Sequence, residues 1–153
     1  MRLALFEPDI PQNTGTILRL AACFRIAVDI IEPCGFVFSD RRLKRSGMDY
    51  LVQVDLKRHD SWDKFIAEAR HDDKARIVLL TTKADTRHTD FEFKPSDILL
   101  LGRESAGVPD EVHNAADARI VVPMAPETRS LNIAVSAAMV LDEALRQIDG
   151  FPK

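Results

Sequence analysis

Apolar residues in this chain arrive in short unbroken runs, separated by longer stretches in which they recur at helical spacing. The runs are Met1 to Phe6, Ala27 to Ile31, Ile77 to Leu80, Ile98 to Leu101 and Ile120 to Val122, with a briefer one at Leu51 to Val54. Three of them stop at prolines, in Glu7-Pro8, Glu32-Pro33 and Pro123, where a ladder N–H is lost. Runs without alternation predict strands buried on both faces, as in a parallel sheet. Between them, Ile17, Leu18, Leu20, Ala21, Ala22 and Phe24 predict a helix that begins at Thr14 with Asn13 as its cap. Ser39 is placed to cap a short helix in SDRRLKRS, and Ser61 to cap WDKFIAEAR, where Trp62, Phe65, Ile66 and Ala69 share a face. The segment 84–96 reads as polar and irregular. Strand–helix alternation over 1–153 predicts one α/β domain, a parallel sheet with helices on both faces. Ligands in such sheets sit off the carboxyl ends of the strands.

The last helix, Leu131 to Gln147 with Ser130 as its cap, departs from the pattern. From Ile133 to Leu141 its only polar residue is Ser136, so it is apolar nearly all the way round. A small domain seldom encloses a helix, so a second copy of the chain is expected against one side. The loop Pro126-Glu127-Thr128-Arg129-Ser130 then lies near that seam.

Composition narrows the classes. With 46% hydrophobic and 29% charged residues, 153 residues suit a globular domain. No apolar run approaches the roughly 20 residues of a membrane span, and no signal-peptide pattern opens the chain, so a cytoplasmic, membrane-free protein is expected. Cys23 and Cys34 form no metal or redox motif and read as small buried residues. His59, His71, His88 and His113 read as surface residues, and no metal is expected. A net charge of −3 argues against a surface that grips nucleic acid everywhere, but Arg41, Arg42, Lys44 and Arg45 cluster in SDRRLKRSG. That cluster is either a solvated helix face or a grip on a phosphate backbone.

Three strand ends carry candidate loops: Leu80-Thr81-Thr82, Leu101-Gly102-Arg103 and Val122-Pro123-Met124. GRESAGVP spaces its glycines like a phosphate loop but lacks the Lys-Ser/Thr that holds phosphate and magnesium, which disfavours a nucleoside triphosphatase. No Gly-x-Gly-x-x-Gly follows the first strand, so a dinucleotide fold is disfavoured as well. Gly102 and Gly107 suit a tight turn or a close approach to a ligand.

Taken together, the blocks Asn13-Thr14-Gly15-Thr16-Ile17-Leu18-Arg19, Gly47-Met48-Asp49-Tyr50, LLLGRESAGVP and VPMAPETRSLNIAVSAAMVLDEALRQ resemble the signatures of the SPOUT-class RNA methyltransferases. The likeness runs the length of the chain and is greatest to the small single-domain TrmL (YibK) group. It implies a C-terminal trefoil knot, a homodimer through the last helix, and S-adenosylmethionine as methyl donor. The implied reaction is methylation of the ribose 2′-hydroxyl of the tRNA wobble nucleotide, cytidine or uridine 34, in leucine tRNAs. Another RNA such as ribosomal RNA, or a non-catalytic module that binds S-adenosylmethionine or RNA, stand as alternatives.

By the same resemblance the methyl donor is held by Leu80, Thr81, Gly102, Arg103, Glu104, Val122, Met124, Ser130 and Leu131. Leu80, Val122 and Leu131 suit an apolar slot for adenine, which needs no phosphate cradle. Asn13, Arg19, Ser130 and Asn132 are the implied catalytic residues. Arg19 stands at the family's proposed activator of the hydroxyl, although a guanidinium is a poor base and suits a bidentate grip on a phosphate better. Arg41, Arg42, Lys44, Arg45 and Arg129 are the expected RNA contacts. Two positions depart from the family: Ala106 stands where relatives often carry arginine, a charge Arg103 would take over, and Asp142 where some carry tyrosine.

Overall fold

The computed structural model describes residues 1–38 and 53–153. The helix expected in SDRRLKRS, the basic cluster Arg41, Arg42, Lys44 and Arg45, and Gly47-Met48-Asp49-Tyr50 lie outside the described residues. In chain order the elements are β1 Arg2–Phe6, α1 Pro11–Phe24, β2 Ala27–Ile31, β3 Leu56–His59, α2 Trp62–Ala69, β4 Ile77–Leu80, β5 Ile98–Leu101, α3 Asp110–Ala115, β6 Ala118–Ile120 and α4 Ile133–Gln147.

Among the described residues six strands pair in parallel, in the order β3-β2-β1-β5-β4-β6. The central runs are apolar throughout because both faces are covered. On one face Leu3, Leu5, Val28, Ile30, Leu99 and Leu101 meet α1 and α4, through Ile17, Leu18, Ala21, Ala137, Leu141 and Leu145. On the other, Ala4, Phe6, Ile31, Ile77, Leu79 and Leu100 meet Phe65 of α2 and Val112 of α3. Burying each such side chain stabilises by about 1.5–3 kcal/mol.

Several boundaries differ from those expected, each for a local reason. Pro11 occupies the first position of α1, which pre-sets its dihedral, so the helix starts three residues before Thr14 and Asn13 lies inside it rather than capping it. Asn132, not Ser130, caps α4: its Oδ1 accepts from the N–H groups of Ala134 (2.9 Å) and Val135 (3.3 Å). Ser61 does cap α2, accepting from Lys64 N–H at 3.3 Å. Of the strand expected at Leu51 to Val54, Leu51 and Val52 lie outside the described residues and Gln53 and Val54 are not strand; a more polar edge strand follows at Leu56–His59. β6 ends at Ile120, and Val121 forms an isolated bridge to Arg87, which anchors the irregular segment after β4. The short helix α3 was not foreseen.

Side-chain burial brings further corrections. His59 and His88 are buried, at 5% and 7% exposure: His59, in β3, meets Asp29 at 2.8 Å and the Phe65 ring, and His88 is held to the Val121 backbone. Cys23 is exposed and Cys34 half-buried, so neither is the fully buried residue expected. α4 is not enclosed by its own chain: Val135 and Met139, one turn apart on it, are exposed, as is Leu131 just ahead of it.

Candidate functional site

The carboxyl ends of β5, β4 and β6 open onto a cleft of about 580 Å³. Such a volume suits a small molecule of nucleoside size. Its walls are Leu79 and Leu80 at the end of β4, Leu101 at the end of β5 with the loop on to Val108, and Val121, Val122 and Met124 after β6. Ser130, Leu131, Asn132, Ile133 and Ser136 close it from α4, and Ile10 and Asn13 from α1.

Backbone geometry explains the loop after β5. Arg103 and Gly107 exchange N–H···O bonds of 2.9 Å each, closing a tight loop, and Gly107 takes φ +67°. A Cβ on Gly102 would lie 2.8 Å from the carbonyl carbon of Gly107. Gly102 is therefore required by the turn itself, the first of its two expected uses.

Polar groups at the mouth form one chain. Asn132 Nδ2 donates to Asn13 Oδ1 (2.9 Å), and Asn13 Nδ2 donates to Glu104 Oε1 (3.3 Å). The same Asn132 that caps α4 thereby ties the helix to α1 and to the loop after β5. Burial first, and then the neighbouring Asp9 carboxyl, hold Glu104 above the usual carboxylate range. Asp9 is held below that range, chiefly by its hydrogen bond with Glu104 and then by Ser105. Arg103 Nη1 lies 3.1 Å from Glu7 Oε2, and Glu7 sits in the left-handed region at φ +42° to place its carboxylate there.

Every residue expected to hold the methyl donor lines this cleft: Leu80, Thr81, Gly102, Arg103, Glu104, Val122, Met124, Ser130 and Leu131. Of the expected catalytic residues, Asn13, Ser130 and Asn132 also line it. Arg19 does not; it lies on the exposed side of α1, and Arg129 is exposed just outside the cleft. Ala106 is exposed on the rim, and the Arg103 charge expected to replace an arginine there is already offset by Glu7.

The sequence reading passed over Asp9, Glu7, Ile10, Ser136 and His113. Arg119 Nε–H donates to His113 O (2.9 Å) and lies 3.3 Å from His113 Nδ1, and the far ring nitrogen Nε2 is buried without a hydrogen-bond partner. Asp9 and Glu7 precede Pro11 in a loop that the first strand delivers to the same end of the sheet. Their one sequence signal was two acidic residues crowded between a strand and a helix start.

The cleft joins apolar walls to a polar mouth, which suits a small molecule with an apolar face and a polar end. Leu79, Leu80, Leu101, Val121, Val122 and Ile133 provide apolar walls, and backbone groups at three strand ends face the space between. Among the described residues no cluster of histidine, cysteine or carboxylates is arranged to hold a metal ion.

Comparison with known proteins points the same way. The chain matches the SpoU rRNA Methylase family over residues 1–142. A relative from Beijerinckia indica subsp. indica, named tRNA (cytidine(34)-2′-O)-methyltransferase, is 59% identical over 151 residues, 99% of this chain and 94% of that protein. A solved structure described as giving structural insights into the 2-OH methylation of C/U34 on tRNA superposes with a TM-score of 0.91 at 37% identity, covering 97% of this chain and 96% of that one. The SpoU methyltransferase AviRb from Streptomyces viridochromogenes, solved in complex with the cofactor AdoMet, superposes with a TM-score of 0.85 at 27% identity, covering 96% of this chain and 60% of that one.

Proposed function

The chain belongs to the SpoU rRNA methylase family, and from that membership we propose that it is a methyltransferase that modifies the ribose 2′-hydroxyl of nucleotide 34, cytidine or uridine, in tRNA. The observation that carries the reading is the Asn132–Asn13–Glu104 chain at the mouth of an apolar cleft, which sets hydrogen-bonding groups beside a nucleoside-sized space.

S-adenosylmethionine, when bound, supplies a methyl group on a sulfonium. Leu80, Val122 and Leu131 would hold its adenine between apolar walls, and the turn fixed by Gly102 and Gly107 would offer backbone groups to it. Displacement at carbon needs the ribose oxygen in line, so positioning supplies most of the rate. Glu104 accepts from the ribose, Asn13 and Asn132 hold Glu104 in place, and Ser130 with Arg129 flanks the entry. Arg19, on the outer side of α1, grips the phosphate beside the target nucleotide.

The same footing supports the C-terminal trefoil knot, a cytoplasmic setting and a homodimer. Val135 and Met139, one turn apart on α4, and Leu131 just ahead of the helix leave an exposed apolar patch, which a second copy packed there covers beside both clefts. The basic cluster Arg41, Arg42, Lys44 and Arg45 takes the tRNA stem.

Incubation with tritiated S-adenosylmethionine and bulk tRNA, followed by mass spectrometry of the labelled nucleotide, tests the reading. Label at the ribose of nucleotide 34 is expected. In a parallel incubation with ribosomal RNA, label there but not in tRNA would move the substrate, and cofactor binding without transfer to either would leave a binding module. Analytical ultracentrifugation tests the dimer, which Met139→Lys is expected to dissociate.

A further inference from the structure

Asp9 lies in the β1–α1 loop, and its partners are 95 residues away in the loop after β5. The two segments grip each other reciprocally. Asp9 N–H donates to Glu104 Oε2 at 3.1 Å, while Glu104 N–H donates to Asp9 Oδ1 at 3.2 Å. Ser105 Oγ donates to the other Asp9 oxygen. The remaining Glu104 oxygen receives the Asn13 amide, so the carboxylate is held on both sides and turned toward the cleft. From behind, Gly35 presses on Asp9: a Cβ there would sit 2.6 Å from Asp9 Cβ and 2.9 Å from its Cα. Gly35 N–H also donates to Pro8 O at 2.9 Å, which fixes the backbone next to Asp9.

Simple loop closure does not account for this arrangement. Arg103 pairs with Glu7 and lies only 3.9 Å from Asp9 Oδ2, so the loops are already joined by an ion pair. Asp9 adds a second negative charge directly behind Glu104, in a part-buried place where like charges raise each other's cost. A clamp meant for stability alone would use a neutral acceptor there.

Resting on the methyl-transfer reading, we infer that Asp9 is a positioning residue: its reciprocal hydrogen bonds with Glu104 fix the rotamer at which that carboxylate meets Asn13 and the ribose hydroxyl. Its charge also tunes Glu104, consistent with the opposite directions in which the two carboxyls are displaced. Besides Asp9, the charged and titratable groups near Glu104 are Arg103, paired with Glu7, and Lys83, Asp110 and His113, which line the same cleft.

The test is single-turnover methyl transfer to bulk tRNA at saturating S-adenosylmethionine across pH, for wild type, Asp9→Asn, Glu104→Gln and the double variant. Asp9→Asn keeps the shape and removes the charge. It is expected to keep cofactor affinity within about threefold and slow transfer by about tenfold or more. It also moves the acidic limb of the pH profile to lower pH, because one cause of Glu104's displacement is gone. In the Glu104→Gln background the same change adds nothing, as expected for residues acting as a unit. Wild-type rate and an unshifted limb in Asp9→Asn, or a fully additive double variant, would overturn the role. Absence of transfer by the wild-type chain sinks the activity and this role together, whereas transfer that Asp9→Asn leaves untouched sinks the role alone. Should Asp9→Asn fail to fold by circular dichroism, Gly35→Ala tests the positioning alone, since it displaces Asp9 with its charge intact: slower transfer is expected, and a wild-type rate would overturn the role.

Discussion

At the amino ends of the strands, Asp97 is fully buried and accepts from Arg76 Nε and Nη2 and from Lys94 N–H, at 2.8 Å each. Nearby, Asp29 accepts from Arg2 Nε at 2.8 Å and meets His59 Nε2 at 2.8 Å. At the carboxyl ends the carboxylates of Asp9 and Glu104 face one another, and Arg103 Nε and His113 Nε2 are buried without hydrogen-bond partners. Both ends carry part-buried charge, but the carboxylates of the first are met chiefly by cations, whereas the second faces two carboxylates together and holds buried nitrogens without a partner. Charge at the base closes on itself and holds β1, β2, β4 and β5 in register. Charge at the cleft is left open to a ligand, which is where a folded chain tolerates unmet donors.

The largest expected change comes from breaking the closed end. Asp97→Ala leaves the Arg76 guanidinium and the Lys94 amide unpaired and should cost about 3 kcal/mol of stability. Urea denaturation checks it, with cofactor binding by the folded fraction unchanged. A loss under about 1 kcal/mol would mean that Arg76, whose side chain is 29% exposed, simply returns to water.

At the open end the same scale of damage should fall on binding instead. Gly102→Ala forces a methyl into the Gly107 backbone and should cost about 1–3 kcal/mol, with cofactor affinity falling more steeply than stability as the turn splays. Calorimetric titration with S-adenosylmethionine separates the two. Asn132→Ala removes the cap of α4, worth about 1 kcal/mol, and also the link to Asn13. Transfer should therefore drop further than thermal stability, and equal losses would reduce Asn132 to a cap.

The two ends were not equally legible in the sequence. Strand positions followed from apolar runs because burial on both faces leaves no alternation to misread. Cleft-lining loops followed from their place after those runs and from the resemblance. What failed was the assignment of polar side chains. Asn13 and Ser130 stand where caps are usual, yet Pro11 starts α1 and Asn132 caps α4, which leaves Asn13 to serve Glu104. Several residues of similar capping strength stood side by side, and the choice among them depends on partners about a hundred positions away. Asp9 and the buried Asp29–His59 pair were invisible for the same reason, since nothing local marks a carboxylate whose partner comes from another strand or loop.

α4 joins the two ends, and its last turns test the closed one most gently. Glu143 pairs with Arg146 at 2.7 Å and accepts from Gln147 Nε2 at 2.8 Å, while Gln147 Nε2 also donates to Phe91 O. Phe91 in turn lies beneath the Arg76 guanidinium that holds Asp97. The Arg146 hydrogen bond first, then Gln147, bring the Glu143 carboxyl down to about 2. A carboxyl lowered on folding contributes stability that is present above its unfolded value, about 4.5, and is lost as pH falls through the folded one. Glu143→Gln should therefore be less stable than wild type at neutral pH, and the gap should close between about pH 4.5 and pH 2, by thermal unfolding at each pH. The gap should be the smallest of the series, because Arg146 is largely exposed and the pair is screened by solvent. A gap that persists unchanged to pH 2 would show that Glu143 acts through the neutral bond to Gln147 alone, and would detach this end of α4 from the charge network at the base.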